Sequence, residues 1–65
     1  MSGVIADFSE GDEVNVKYNG RWYRVNGKFY VFTISHTWYT TTEGRQYNVR
    51  ENGDTFKENE IRAVK

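Results

Sequence analysis

GDEVNVKYNGRWYRVNG, residues 11–27, decides the fold. Apolar and polar residues alternate from Glu13 to Tyr18, the period of a strand with one face buried. Asn19-Gly20 then interrupts the run, and both residue types tolerate the positive φ that a two-residue type I′ hairpin requires. Such a turn sets the register. It predicts Tyr18 opposite Arg21, Val16 opposite Tyr23 and Val14 opposite Val25 on the inner face. Lys17 opposite Trp22 and Asn15 opposite Arg24 then point outward. Asn26-Gly27 ends the stretch as either a second turn or a bulge within a longer strand.

The same reading extends along the chain. Glu43-Gly44 predicts a turn that pairs Thr40 with Tyr47 and Trp38 with Val49, with Tyr39 and Asn48 on the other face. Asn52-Gly53 predicts Val49 opposite Phe56. The resulting interior is Val14, Val16, Tyr23, Val25, Trp38, Tyr47, Val49 and Phe56, capped by Ile61 and Val64. KFYVFTIS, residues 28–35, is apolar on both faces. That pattern suits a central strand that curves between sheets, or one whose second face is covered by a loop or a partner. No segment has a 3.6-residue period, although KENEIR (57–62) has room for one 3₁₀ turn. Five to six short strands in 65 residues predict a single all-β domain, a small antiparallel barrel closed on itself.

Composition narrows the function classes. The chain has no cysteine, which excludes disulfides and thiolate zinc sites. Eleven aromatic residues must supply much of the apolar core. No apolar run approaches the ~20 residues of a membrane span, and the N-terminus has no signal-peptide pattern. The expectation is a soluble intracellular domain, nuclear or cytoplasmic. Net charge is zero but segregated. Residues 14–50 carry Lys17, Arg21, Arg24, Lys28, Arg45 and Arg50 against Glu43 alone, while both ends are acidic. The middle is a candidate basic face for an anionic partner, unless the acidic ends fold back onto it.

Gly11-Asp12-x-Val14-x-Val16-x-Tyr18-x-Gly20-x-Trp22-Tyr23 resembles the opening of Tudor-like domains. Tyr47-x-Val49, Asn52-Gly53-Asp54 and Ile61-Arg62 resemble their second half. The resemblance covers most of residues 8–62 and departs in spacing over 26–46. It implies an SH3-like barrel and, in it, an aromatic cage for methylated lysine or arginine, held by cation–π attraction. Tyr18 and Tyr23 stand at the first two cage positions and Asn52 at a polar one. Arg50 replaces the next aromatic, and Phe56, a late aromatic of the pattern, belongs to the core by register. Gly-Asp-x-Val, the Trp-Tyr pair and Tyr-x-Val also resemble the plasmid-type dihydrofolate reductases. Their pore-lining Val-Gln-Ile-Tyr is absent here, so this likeness speaks to fold rather than activity.

His36, the only histidine, reads as an exposed loop residue, and no catalytic or metal-ligating set emerges around it. The functional expectation is a non-enzymatic module without cofactor or metal. It would recognise a protein or peptide partner, methylated or acidic, through Tyr18, Trp22, Tyr23, Tyr39, Arg50 and Asn52. The alternative is nucleic-acid binding through Lys17, Trp22, Arg24, Lys28 and Arg50, with rings stacking on bases and cations following phosphates. A structural or oligomer-forming barrel is the third possibility.

Overall fold

The computed structural model describes residues 7–64. The chain is all-β with a single 3₁₀ turn. Strand β1 (Glu13–Tyr18) turns at Asn19-Gly20 into β2 (Arg21–Trp22). β3 (Arg24–Val25) and β4 (Lys28–Phe29) follow as a separate small hairpin. The long β5 (Phe32–Thr40) leads to β6 (Gly44–Val49) and β7 (Thr55–Lys57). A 3₁₀ turn at Glu58–Glu60 falls inside the predicted window and delivers β8 (Ile61–Ala63). All pairs are antiparallel. The main sheet runs β2-β1-β5-β6-β7, with β8 also on β1.

The sheets do not close into a barrel, contrary to the expectation. β7 pairs with β6 and β8 with β1, and among the described residues the 3₁₀ turn, not a ladder, spans the gap between them. The core is Val14, Val16, Phe32, Ile34, Tyr47, Val49, Phe56 and Ile61, with Phe8 and Tyr18 packed against it. Five of these eight were assigned inward from the turns, and Ile61 was expected as a cap.

Three predicted core residues lie outside instead. Tyr23, Val25 and Trp38 are 39%, 41% and 41% exposed. Val64 is only half-buried. For Tyr23 and Val25 the cause is a short first hairpin. Lys17↔Trp22 and Tyr18↔Arg21 pair as expected, and the Tyr23 N–H still reaches the Val16 carbonyl at 2.8 Å. Beyond that, Val14 pairs with Phe32 and Ala63, and Asn15 with Arg62, so neither Val25 nor Arg24 has a place on β1. Asn26-Gly27 is a true turn, with φ of 54° and 78°, and it folds β3 onto β4.

Trp38 is displaced by a different mechanism. The β5–β6 loop is three residues, Thr41 to Glu43, closed by Gly44 at φ 77°, a conformation with no steric penalty only for glycine. Trp38 therefore faces Gln46, and Thr37 faces Tyr47. An odd slip of register moves every side chain of a strand to the other face. A bulge between Ile34 and His36 then reverses the alternation, so Phe32 and Ile34 point inward upstream while Thr37 points inward downstream. The slip at Asn52-Gly53 is even: Phe56 faces Tyr47 rather than Val49 and stays inside. His36 is exposed as expected, but it lies within β5 rather than in a loop.

The outer face of Thr33 is covered by the 50–54 loop. The Arg50 N–H bonds the Thr33 carbonyl at 2.8 Å. The Glu51 carboxylate accepts the Thr33 N–H at 2.8 Å and its hydroxyl at 2.9 Å. Desolvation pushes the Glu51 carboxyl upward, but these bonds and the adjacent Arg50 charge outweigh it, so the group titrates below its ordinary value. A lowered folded-state pKa adds stability above the unfolded value of about 4.3, and that stability is lost as pH falls through the folded value. The wild type is accordingly expected to be more stable than Glu51→Gln near neutrality, with the margin lost as pH falls through the folded-state value. Urea unfolding of both proteins across this range tests it, and a pH-independent margin would refute the charge argument.

Candidate functional site

β1 positions two different groups of side chains, one at each face of its C-terminal half. At the inner edge, Tyr18 packs on Phe56 with ring centroids 5.2 Å apart and meets Tyr23 at 5.3 Å and 75°. Tyr23 continues edge-to-face onto Tyr30 at 5.9 Å, and Tyr30 onto the buried Phe32 at 4.8 Å. The Tyr18 hydroxyl donates to Asp54 Oδ2 at 2.5 Å and accepts from Asn52 Nδ2 at 2.9 Å. Asn52 Oδ1 in turn accepts the Asp54 N–H at 3.0 Å, an Asx turn that fixes the loop. Desolvation, with the Asp54 carboxylate as acceptor, pushes the Tyr18 phenol above its ordinary pKa, so it remains a neutral donor.

Trp22 lies on the outer face, as its pairing with Lys17 requires, and is half-buried because cations cover its ring. Lys17 Nζ is 4.9 Å from the indole centroid and Arg62 Cζ 4.1 Å. Arg62 also lies 4.7 Å from the Phe29 ring, and Arg24 lies 5.4 Å from that same ring. The result is an alternating series, Lys17–Trp22–Arg62–Phe29–Arg24. Asn15 pins it in place: its Nδ2 donates to the Tyr30 carbonyl at 3.1 Å, and its Oδ1 accepts from Arg62 Nε at 3.4 Å. Between the two groups opens a cleft of about 610 Å³ lined by Tyr18, Gly20, Arg21, Trp22, Tyr23, Arg24 and Phe29.

The structure thus brings together Tyr18, Tyr23 and Asn52, and separately Lys17, Trp22 and Arg24. Three residues named from sequence belong to neither group. Tyr39, 64% exposed, stands near the far end of β5 with Arg45 5.9 Å from its ring. The Arg50 side chain donates to Thr33 Oγ1 at 3.4 Å beside the Glu51 carboxylate. Lys28 pairs with Val25, one position out of step with Arg24 and Phe29, so it points to the other side of the β3–β4 hairpin.

Phe29, Tyr30, Asp54 and Arg62 were missed. Phe29 was within reach, because taking Asn26-Gly27 as a turn places it opposite Arg24. Arg62 is half legible, since inward Ile61 sends its neighbour outward, but its contact with Trp22 joins distant parts of the chain. Among the described residues no group of three His, Asp or Glu side chains converges as a metal would need, and no helix is long and apolar enough to cross a membrane. Comparison with protein families, curated proteins and solved structures finds no match to this chain.

Proposed function

We propose that this domain is a non-enzymatic binding module that recognises a peptide segment of a protein partner through the cleft between Tyr18 and Phe29. One observation carries the reading: Tyr18 and Tyr23 form a corner of two rings at 75°, with the Asp54 carboxylate at its edge. Ring faces and a nearby negative charge attract an alkylated ammonium or guanidinium group, which is weakly hydrated and loses little on entering. Tyr23 and Tyr30 are 39% and 40% exposed, so the corner is open to such a group. Arg50, which stands where the Tudor-like pattern has an aromatic, directs its charge to Thr33 and Glu51. Arg21 and Arg24 on the opposite wall of the cleft suit acidic residues flanking the modified position.

The test is an NMR titration with trimethyl-lysine, dimethyl-arginine and unmodified peptides carrying acidic flanks. Shifts are expected at Tyr18, Tyr23 and Asn52, and affinity should fall several-fold without the methyl groups. Tyr23→Ala, at an exposed position, should weaken binding about tenfold, equivalent to about 1.4 kcal/mol. Equal affinity for methylated and unmethylated peptides would remove the cage from the reading, and no binding at all would end it.

A further inference from the structure

The alternating series on the outer face is a separate observation from the Tyr18–Tyr23 corner, and it points to a second kind of ligand. Lys17, Arg62 and Arg24 are each held against an aromatic ring, and among the described residues no carboxylate lies within salt-bridge distance of any of them. Among the described residues the one ion pair is Lys57 with Glu43, elsewhere on the molecule. A ring between successive cations keeps them in a row at fixed spacing, so the entropy of ordering long side chains is already spent in the free protein. Both Arg62 and Arg24 carry planar forks that match phosphate oxygens in pairs.

We propose that the Lys17–Trp22–Arg62–Phe29–Arg24 array holds the phosphate backbone of a single-stranded nucleic acid. A polyanion with one charge per unit meets a fixed row of cations whatever its sequence, whereas an acidic peptide must place Asp or Glu at each matching position. Lys17 and Arg62 already lie against the Trp22 ring, so this array reads backbone. Exposed rings stand beside it. Tyr23 and Tyr30 are each close to 40% exposed. They offer stacking surfaces to unpaired bases, which a duplex keeps inside its own stack. Strand preference follows from that arrangement, and sequence preference is expected to be weak.

Fluorescence anisotropy with labelled oligouridylate and oligothymidylate, over a series of salt concentrations, tests the proposal. Three phosphate contacts on a single strand predict that the logarithm of the association constant falls with the logarithm of salt with a slope of about −2. Arg24→Gln and Arg62→Gln should each weaken binding about tenfold at low salt and make the slope shallower by about 0.7. Arg24 lies on an exposed hairpin, so its variant keeps the test valid even if Arg62→Gln loosens the fold. Lys57→Gln removes the same charge away from the array and should change neither quantity. The proposal is overturned if no oligonucleotide binds at low salt, or if Lys57→Gln costs as much as the array variants. It is equally overturned if a duplex binds as tightly as the single strand, or if polyglutamate competes as well as unlabelled oligonucleotide. The last result would assign the face to acidic proteins. Tyr23 and Arg24 border both surfaces, but the peptide titration reads methylation at Tyr18 and Asn52 whereas this one reads salt dependence at Arg24 and Arg62, so failure here leaves the peptide reading standing.

Discussion

Phe32→Ala is expected to leave much of the population unfolded at room temperature. Phe32 is 2% exposed and opens β5. Its backbone pairs with Val14, and its ring contacts Tyr23, Tyr30 and Phe56. Truncating a buried phenylalanine costs about 3–5 kcal/mol, the lost transfer energy plus the cavity left behind. A domain of 65 residues has roughly 3–10 kcal/mol in total, at about 0.05–0.15 kcal/mol per residue. The loss is therefore comparable to everything the fold has. Urea unfolding followed by far-UV circular dichroism should show either no folded baseline or a midpoint shifted far toward zero denaturant. A loss below about 1 kcal/mol would mean that Phe32 is not at the centre of the core.

The second large effect is an inversion of rank on one strand. Ile34→Ala should cost about 2–5 kcal/mol, while Trp38→Thr should cost less than about 1 kcal/mol. By size alone the order would be reversed, since tryptophan is the larger residue and its truncation in a core costs about 3–5 kcal/mol. The register decides otherwise. Ile34 is 1% exposed opposite Val49, its N–H donates to the Asp12 carbonyl at 3.0 Å, and its carbonyl accepts from the Gly11 N–H at 2.8 Å. Trp38 is 41% exposed beyond the bulge. Thermal melts of the two variants side by side give the result. A Trp38→Thr variant as damaged as Ile34→Ala would show that β5 alternates without interruption and that the bulge is absent.

These two residues also show where sequence reasoning stops. Strand period and Gly-bearing turns act over a few residues, so they gave the all-β class, the first hairpin register and five core positions. Trp38 went astray because a turn is a statement about loop length as much as composition. Glu43-Gly44 looks like a two-residue loop, but Thr41 begins the turn and Gly44 closes it in the left-handed region. The bulge at Ser35 leaves no mark of its own in the sequence. Its hydroxyl donates to Asn48 at 2.7 Å, a bond between strands that only the folded register creates. The closed barrel failed for a related reason, since nothing local tells β8 to choose β1 over β7.

The candidate site was legible to the same depth. Lys17 with Trp22 follows from one hairpin and was found. Tyr18 with Asn52 was reached through resemblance, and its physical basis is a pair of hydrogen bonds across 34 and 36 positions of chain. Arg62 between Trp22 and Phe29 depends on β8 returning to β1, so no local pattern announces it. Tyr39 and Arg50 were grouped with the others because exposure and residue type carry no information about which end of a sheet a side chain occupies.

The placement of β5 between β1 and β6 has one more consequence. FYVFTI, residues 29–34, has no charge and no proline and is rich in aromatic and β-branched residues, the composition of a fibril-forming segment. In the native molecule its second half is flanked on both sides by partner strands, with Phe32 and Ile34 sealed inward. A single hydrophobic stretch therefore serves as the keystone of the fold and as its main hazard. Whatever loosens the core releases, in the same event, the segment most able to recruit other copies into an amyloid-like deposit.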